Sequence, residues 1–239
     1  MKRLFVLGLV VLTVFVLSSC SSETLLVPSQ GAGRVNNTTA KEKVAGITVI
    51  AKSDQWNGNP QVVNYVTPVL VTVKNNSNDN VKVEYEQFSL VGRDGVRYSA
   101  LPPFKVNGTI EKPVLVYNDA PIVAPSFTCN NFEIAPYYSD VYPGMEIYDG
   151  PFYFDPMYYD TYYGYWLNLQ STLPTRKMIY EALPEGVIKP GGSVTGFIYF
   201  QRVEKSETNK VNFRADLIDA GNGKNFAVAD IPFNVVKKD

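Results

Sequence analysis

Apolar residues along much of this chain recur at every second position, which is the period of a half-buried β-strand. Val69, Val71 and Val73 share one face of a segment whose other face carries Leu70, Thr72 and Lys74. Ahead of it, Ile47, Val49 and Ala51 alternate with Thr48 and Ile50. After it, Val81, Val83 and Tyr85 point one way and Lys82, Glu84 and Glu86 the other, and the segment continues through Phe88 and Leu90. Near the C-terminus Val211, Phe213, Ala215 and Leu217 alternate with Asn212, Arg214 and Asp216. Further strands are predicted at Val96 to Tyr98, Val114 to Tyr117, Phe132 to Ile134, Val194 to Phe200 and Phe226 to Val235. Turn residues separate them: Asn75 to Asn80, Asp94-Gly95, Gly186 with Pro190-Gly191-Gly192, and Gly221-Asn222-Gly223. Asn, Asp and Gly accept left-handed backbone and so end strands where they cluster.

One segment reads as helix. Pro174 is tolerated in a first turn, and Met178, Ile179, Ala182 and Leu183 then share a side until Pro184. Seven or more short strands with one short helix predict an all-β fold, an antiparallel β-sandwich of immunoglobulin-like type spanning 44–239. Two stretches break the rhythm. Ser21 to Lys43 is polar and turn-rich, so 20–43 is predicted to be a flexible tether with a reach of about 25 Å. Ten of the 16 Tyr fall between Tyr137 and Tyr165, joined by Phe152, Phe154 and Trp166, with Gly and Pro among them. Residues 137–166 are predicted to be a long loop inserted in the sandwich.

Composition narrows the chemistry. The chain contains no His, which removes Ser-His-Asp and Cys-His nucleophiles, His general bases and every His-containing metal site. A Ser-Lys pair, two carboxylates or an all-oxygen metal site remain open. Formal net charge is −1, so no global field favours nucleic acid. The charge is polarised, however: between Pro113 and Thr175 there are seven carboxylates and no Lys or Arg. Of the two Cys, Cys129 lies in the mixed run Phe127 to Phe132 and is expected to be a small buried apolar residue.

The N-terminus adds an address. Lys2 and Arg3 precede an apolar run from Leu4 to Leu17, too short and wrongly flanked for an ordinary membrane span, which reads as a signal peptide over 1–19. Leu17-Ser18-Ser19-Cys20 resembles the bacterial lipobox. The resemblance implies cleavage before Cys20, a diacylglyceryl group on its thiol and localisation in the bacterial cell envelope. Ser21 after the Cys resembles outer-membrane sorting in diderm bacteria.

A second resemblance rests on three segments: Val69 to Ser77, Phe88 to Tyr98 with its Asp94-Gly95 hairpin, and Ile188 to Phe200 with Pro190-Gly191 ahead of Gly196. Together they are similar to a bacterial family of secreted and lipid-anchored immunoglobulin-like domains of largely unknown function. These signatures imply a fold and carry over no catalytic residue.

The Tyr-rich stretch admits several roles. The rings could cover the sandwich with their hydroxyls wet. Tyr158, Tyr159, Tyr162, Tyr163 and Trp166 could form a contact patch for an envelope protein or a glycan, since Tyr gives large rigid contact area at little entropic cost. Asp149, Asp155 and Asp160 could gather oxygens around calcium, although their spacing lacks a regular calcium-loop register. Two of these carboxylates could instead serve a His-free carbohydrate-active enzyme. The reading that best fits the sequence is a lipid-anchored envelope lipoprotein acting as a non-catalytic binding or structural module, with no cofactor. Its partners are the membrane through the anchor and an envelope protein or glycan, and nucleic acid is not among them.

Overall fold

The computed structural model describes residues 23–103, 105–107, 109–111, 126–153, 155–169 and 173–238. The signal segment, Cys20 and the strand predicted over Val114 to Tyr117 lie outside the described residues. The strands are β1 (Thr24–Pro28), β2 (Thr39–Val44), β3 (Ile47–Lys52), β4 (Val66–Asn75), β5 (Val81–Val83), β6 (Phe88–Gly92) and β7 (Arg97–Ser99). After these come β8 (Lys105–Asn107), β9 (Thr109–Glu111), β10 (Thr128–Ile134), β11 (Gly186–Gln201), β12 (Lys210–Asp219) and β13 (Asn225–Lys237). Two helices join them, α1 (Pro156–Asn168) and α2 (Arg176–Glu181).

The fold is all-β and antiparallel. Eleven of the described strands belong to one hydrogen-bonded sheet, in the order β1-β13-β12-β5-β11-β4-β3-β2, with β10 on β11 and β6-β7 on β12. The path doubles over so that its two halves face each other. Phe200 on β11 and Phe213 on β12 meet edge to face with ring centroids 5.9 Å apart, although these two strands share no ladder. One core holds Val49, Val71 and Ile198 from one half and Leu90, Ile231 and Phe233 from the other, all at most 1% exposed. The alternation of Val69, Val71 and Val73 against Lys74 is the pattern such a core requires.

The halves are joined by β5 and the long β11. Val81 pairs with Ile188 on one side and Asp219 on the other, so three residues bridge the layers. Strand β11 pairs with β5 through Gly186 to Ile188 and with β4 from Ser193 onward. Between these pairings it bulges, with only Asn131 on β10 separating the partners of Ser193 and Ile188. The sequence predicts a turn at Pro190-Gly191-Gly192. It is instead a bulge within a continuous strand, which lets β11 change direction without ending. Gly191 sits at φ +76°, and a Cβ on Gly192 would lie 2.4 Å from the Asn131 carbonyl oxygen, so neither position takes a side chain without rearrangement.

Residues 23–43 are not a free tether. Strand β1 pairs with the end of β13, Thr24 with Lys237 and Leu26 with Val235, and Leu26 is buried. Strand β2 pairs with β3 along its length. The Asp230 amide of β13 donates to the Glu42 carboxylate on β2, bringing the two ends of the sheet path together. Polar composition concealed β2, because charged side chains such as Lys41 and Glu42 are what edge strands carry, whereas in β1 the apolar run Leu25 to Val27 is too short to show a period before Pro28. Turn chemistry elsewhere follows the sequence: Gly95 has φ +86° and Gly223 φ +69°, and the Asp219 side chain accepts from the amides of Gly221 and Asn222. The short helix predicted after Pro174 is α2, capped by Thr175.

A structural β1 is testable. Leu26→Ala should cost about 2–5 kcal/mol in urea unfolding, whereas a change in a free tether would leave the midpoint where it was.

Candidate functional site

The Tyr-rich segment is held against the sandwich by directed hydrogen bonds, and beneath it lies a pair of buried carboxylates. The strand pattern assigns Glu84 an outward position, yet it is only 3% exposed. The reason is local: β5 ends at Val83 and one 3-10 turn, Tyr85–Gln87, follows, which breaks the two-residue period and turns Glu84 and Gln87 inward. The Glu84 amide donates to Gln87 Oε1 at 3.2 Å, and its carboxylate pairs with Lys82 at 2.5 Å. Glu185, immediately before β11, is also 3% exposed. Its Oε1 accepts from the Tyr85 amide at 2.7 Å, and its Oε2 accepts from the hydroxyls of Tyr137 and Tyr159. Around them, the Tyr85 hydroxyl donates to the Leu183 carbonyl at 2.7 Å.

Burial dominates the electrostatics. Desolvation and the nearby Glu185 push Glu84 up to about 8 against the pull of Lys82. Desolvation pushes Glu185 up to about 7, although all three of its donors favour the charged form. The same burial drives Tyr85, Tyr138 and Tyr159 well above the ordinary phenol value, so these hydroxyls stay protonated and remain donors. The space bounded by Glu84, Glu86, Asp155, Tyr158, Tyr159 and Glu185 measures about 10 Å³. That is room for one water molecule at most and none for a sugar ring. What this arrangement can do chemically is hold and release protons inside the fold.

Helix α1 supplies the cover. Asp155 caps it by accepting from the Met157 amide at 2.8 Å, and Pro156 occupies its first position, where no amide donor is needed. Tyr158, Tyr159, Tyr162, Tyr165 and Trp166 fall on one face at helical spacing. Tyr158 donates to the Ala100 carbonyl at 2.5 Å, Tyr162 to Ser99 Oγ at 2.5 Å and Trp166 Nε1 to the Pro102 carbonyl at 2.7 Å. A contact patch of Tyr158, Tyr159, Tyr162, Tyr163 and Trp166 is thus not what the structure presents. Tyr159 and Trp166 are 3% exposed, Tyr158, Tyr162 and Tyr163 are half-buried, and four of the five turn their polar atoms inward. The predicted loop is a helix in its middle, formed because cap and spacing agree even though Tyr is a modest helix former.

The side chains of this segment that do reach solvent are others: Tyr153 at 80%, Met157 at 77% and Ile147 at 48% exposed. Asp149, Asp155 and Asp160 are exposed and spread out, and no group of three metal-ligating side chains occurs among the described residues. The calcium reading therefore has no site at these aspartates. Cys129 is exposed on β10 rather than buried, because β10 pairs with β11 alone and Thr128 to Asn131 lie at the surface of this edge. Partial desolvation still pushes its thiol up. Of the missed residues, Glu84 carried a periodic signal that pointed outward and Glu185, just ahead of β11, carried none.

The chain matches no family model, and no curated protein or solved structure matches it.

The raised carboxyls make stability depend on pH. An acid whose folded pKa lies above its unfolded value of about 4.5 contributes stability that is full below that value and is lost as pH rises through the folded value. For Glu185 and Glu84 the loss therefore spans roughly pH 4.5 to 8. With no His in the chain, no imidazole adds to the pH dependence in that interval. The melting temperature should fall from pH 5 to 8.5, and Glu185→Gln, which mimics the protonated acid, should flatten that fall. A melting temperature that rises over this interval would contradict the assignment.

Proposed function

We propose that the chain is a lipid-anchored lipoprotein of the bacterial cell envelope, held by an acylated Cys20, whose β-sandwich acts as a non-catalytic binding or structural module. The observation that carries this reading is the division of labour within the Tyr-rich segment. Most of its aromatic side chains are spent on the fold, while Tyr153 and Met157 are held out in water. Aromatic and Met side chains in that position suit a contact surface. The seven carboxylates of the surrounding stretch disfavour nucleic acid and anionic lipid as its target and favour an envelope protein or a glycan. A diderm host would place the anchor in the outer membrane.

The rival reading, a His-free carbohydrate-active enzyme, would draw on the raised Glu84 and Glu185. It gains little from them, because a glycosidase must place its two carboxyls on either side of a sugar.

Two measurements test the proposal. Wild-type protein should fractionate with membranes and carry a diacylglyceryl mass at its N-terminal Cys20, and Cys20→Ala should move it to the soluble fraction. Membrane association that survives the change would remove the anchor. Tyr153→Ala with Met157→Ala should leave melting unchanged and abolish crosslinked capture of the envelope partner.

A further inference from the structure

We infer that the end of the sandwich where β1 begins rests on the lipid headgroup layer, and that the fold itself holds Tyr153 away from the bilayer. The inference rests on acylation of Cys20. Only Ser21, Ser22 and Glu23 separate Cys20 from Thr24, the first residue of β1. Four Cα–Cα steps span at most about 14 Å even when fully extended. The headgroup layer on each side of the hydrocarbon is about 5–8 Å thick. The first paired residue of the domain therefore stands within a side chain or two of the headgroup surface. A coil over the whole predicted tether would instead have lifted the domain about 25 Å.

The ladders identify which end this is. Thr24 pairs with Lys237 at the end of β13, and the Lys238 ammonium reaches Glu23 at 3.1 Å and Asp54 at 2.7 Å. The loop 53–65 after β3 is thus at the anchored end. So is the 93–96 hairpin, because Gly92 pairs with Val211 at the start of β12. The exposed side chains of loop 53–65 are mostly uncharged, among them Gln55, Asn57, Asn59 and Gln61, with Trp56 half-buried beside them. Such a surface meets headgroups by hydrogen bonding and requires no insertion into hydrocarbon. The far end of β12 pairs with β5 at Ile218 and Lys82, and Lys82 Nζ donates to the Tyr153 carbonyl at 3.3 Å. Eight residue steps from Lys210 to Ile218 correspond to about 26 Å along β12, so the fold carries Tyr153 at least that far from the anchored end.

The test uses the acylated full-length protein in nanodiscs of phosphatidylethanolamine and phosphatidylglycerol, compared with the soluble Cys20→Ala protein by amide hydrogen exchange. Loop 53–65 and hairpin 93–96 should exchange several-fold more slowly in the nanodisc, whereas turns 76–80 and 221–224 should exchange alike in both. Inserting about 20 Gly and Ser residues between Ser22 and Glu23, a coil with a reach of about 25 Å, should return the two protected segments to the soluble rate. Acylated protein without that protection, or protection that survives the inserted linker, overturns the inference and leaves the anchor standing. Absence of the acyl mass at Cys20 overturns the anchor, and the inference falls with it.

Discussion

Glu185 is the constraint around which the middle of the molecule is organised. A carboxyl taken out of water must find donors, because leaving it unpaired would cost several kcal/mol. Here the donors come from three separate pieces of chain: the Tyr85 amide after β5, the Tyr137 hydroxyl from the turn after β10 and the Tyr159 hydroxyl from α1. One side chain thus fixes the joint between the sheet's two halves and the segment that covers it. Loss of any donor would leave the others holding an under-satisfied acid, so the network acts as a unit. The Tyr-rich segment is accordingly a structural part of the fold, although it interrupts the strand pattern.

The second organising feature is the bulge of β11. A flat strand of that length would belong to one layer only. By letting Lys189 to Gly192 swing out, β11 pairs with β5 and β10 at its start and with β4 and β10 beyond the bulge. The Lys189 ammonium pairs with Glu133 of β10 across the gap, which holds the protruding residues to a neighbouring strand. Gly192 is placed where three carbonyl oxygens crowd its missing Cβ, so close backbone approach decides the residue there. Bulge and carboxylate cooperate, since Glu185 lies directly ahead of the strand that must turn.

Much of the sandwich is legible in the sequence, because packing one face of a strand imposes a period that Val69 to Val73 and Val211 to Leu217 display openly. The turns at Gly95 and Gly223 are legible because only a few residue types take positive φ. Strands β1 and β2 were hidden for different reasons: Leu25 to Val27 is too short a run to display a period, whereas the edge strand β2 carries charge and Thr39–Val44 contains just two buried side chains. Helix α1 was partly legible. Asp155-Pro156 is a start signal, and 158, 159, 162 and 166 share a face, but rings on every side of the sequence obscured the stripe. The inward Glu84 was not legible at all, since one 3-10 turn reverses the meaning of the alternation preceding it. Cys129 shows the same limit: a small residue in a strand is buried or exposed according to where the strand sits in the sheet, and β10 pairs on one side only.

The pairing of β1 also gives the proposed anchor a mechanical character. With Cys20 held in lipid, any force that draws the domain off the membrane enters at Thr24 and runs along β1. Five residue pairs from Thr24–Lys237 to Pro28–Phe233 then share the load, and because β1 lies alongside β13 the pull acts in shear across the ladder rather than opening it pair by pair. The Ser53 hydroxyl, donating to the Leu26 carbonyl at 2.5 Å, adds a lateral tie to the loop after β3. A free tether would pass such force to whichever structured residue came first. A strand that is both edge cover and attachment point distributes it into β13, and so into the core shared by both halves of the sheet.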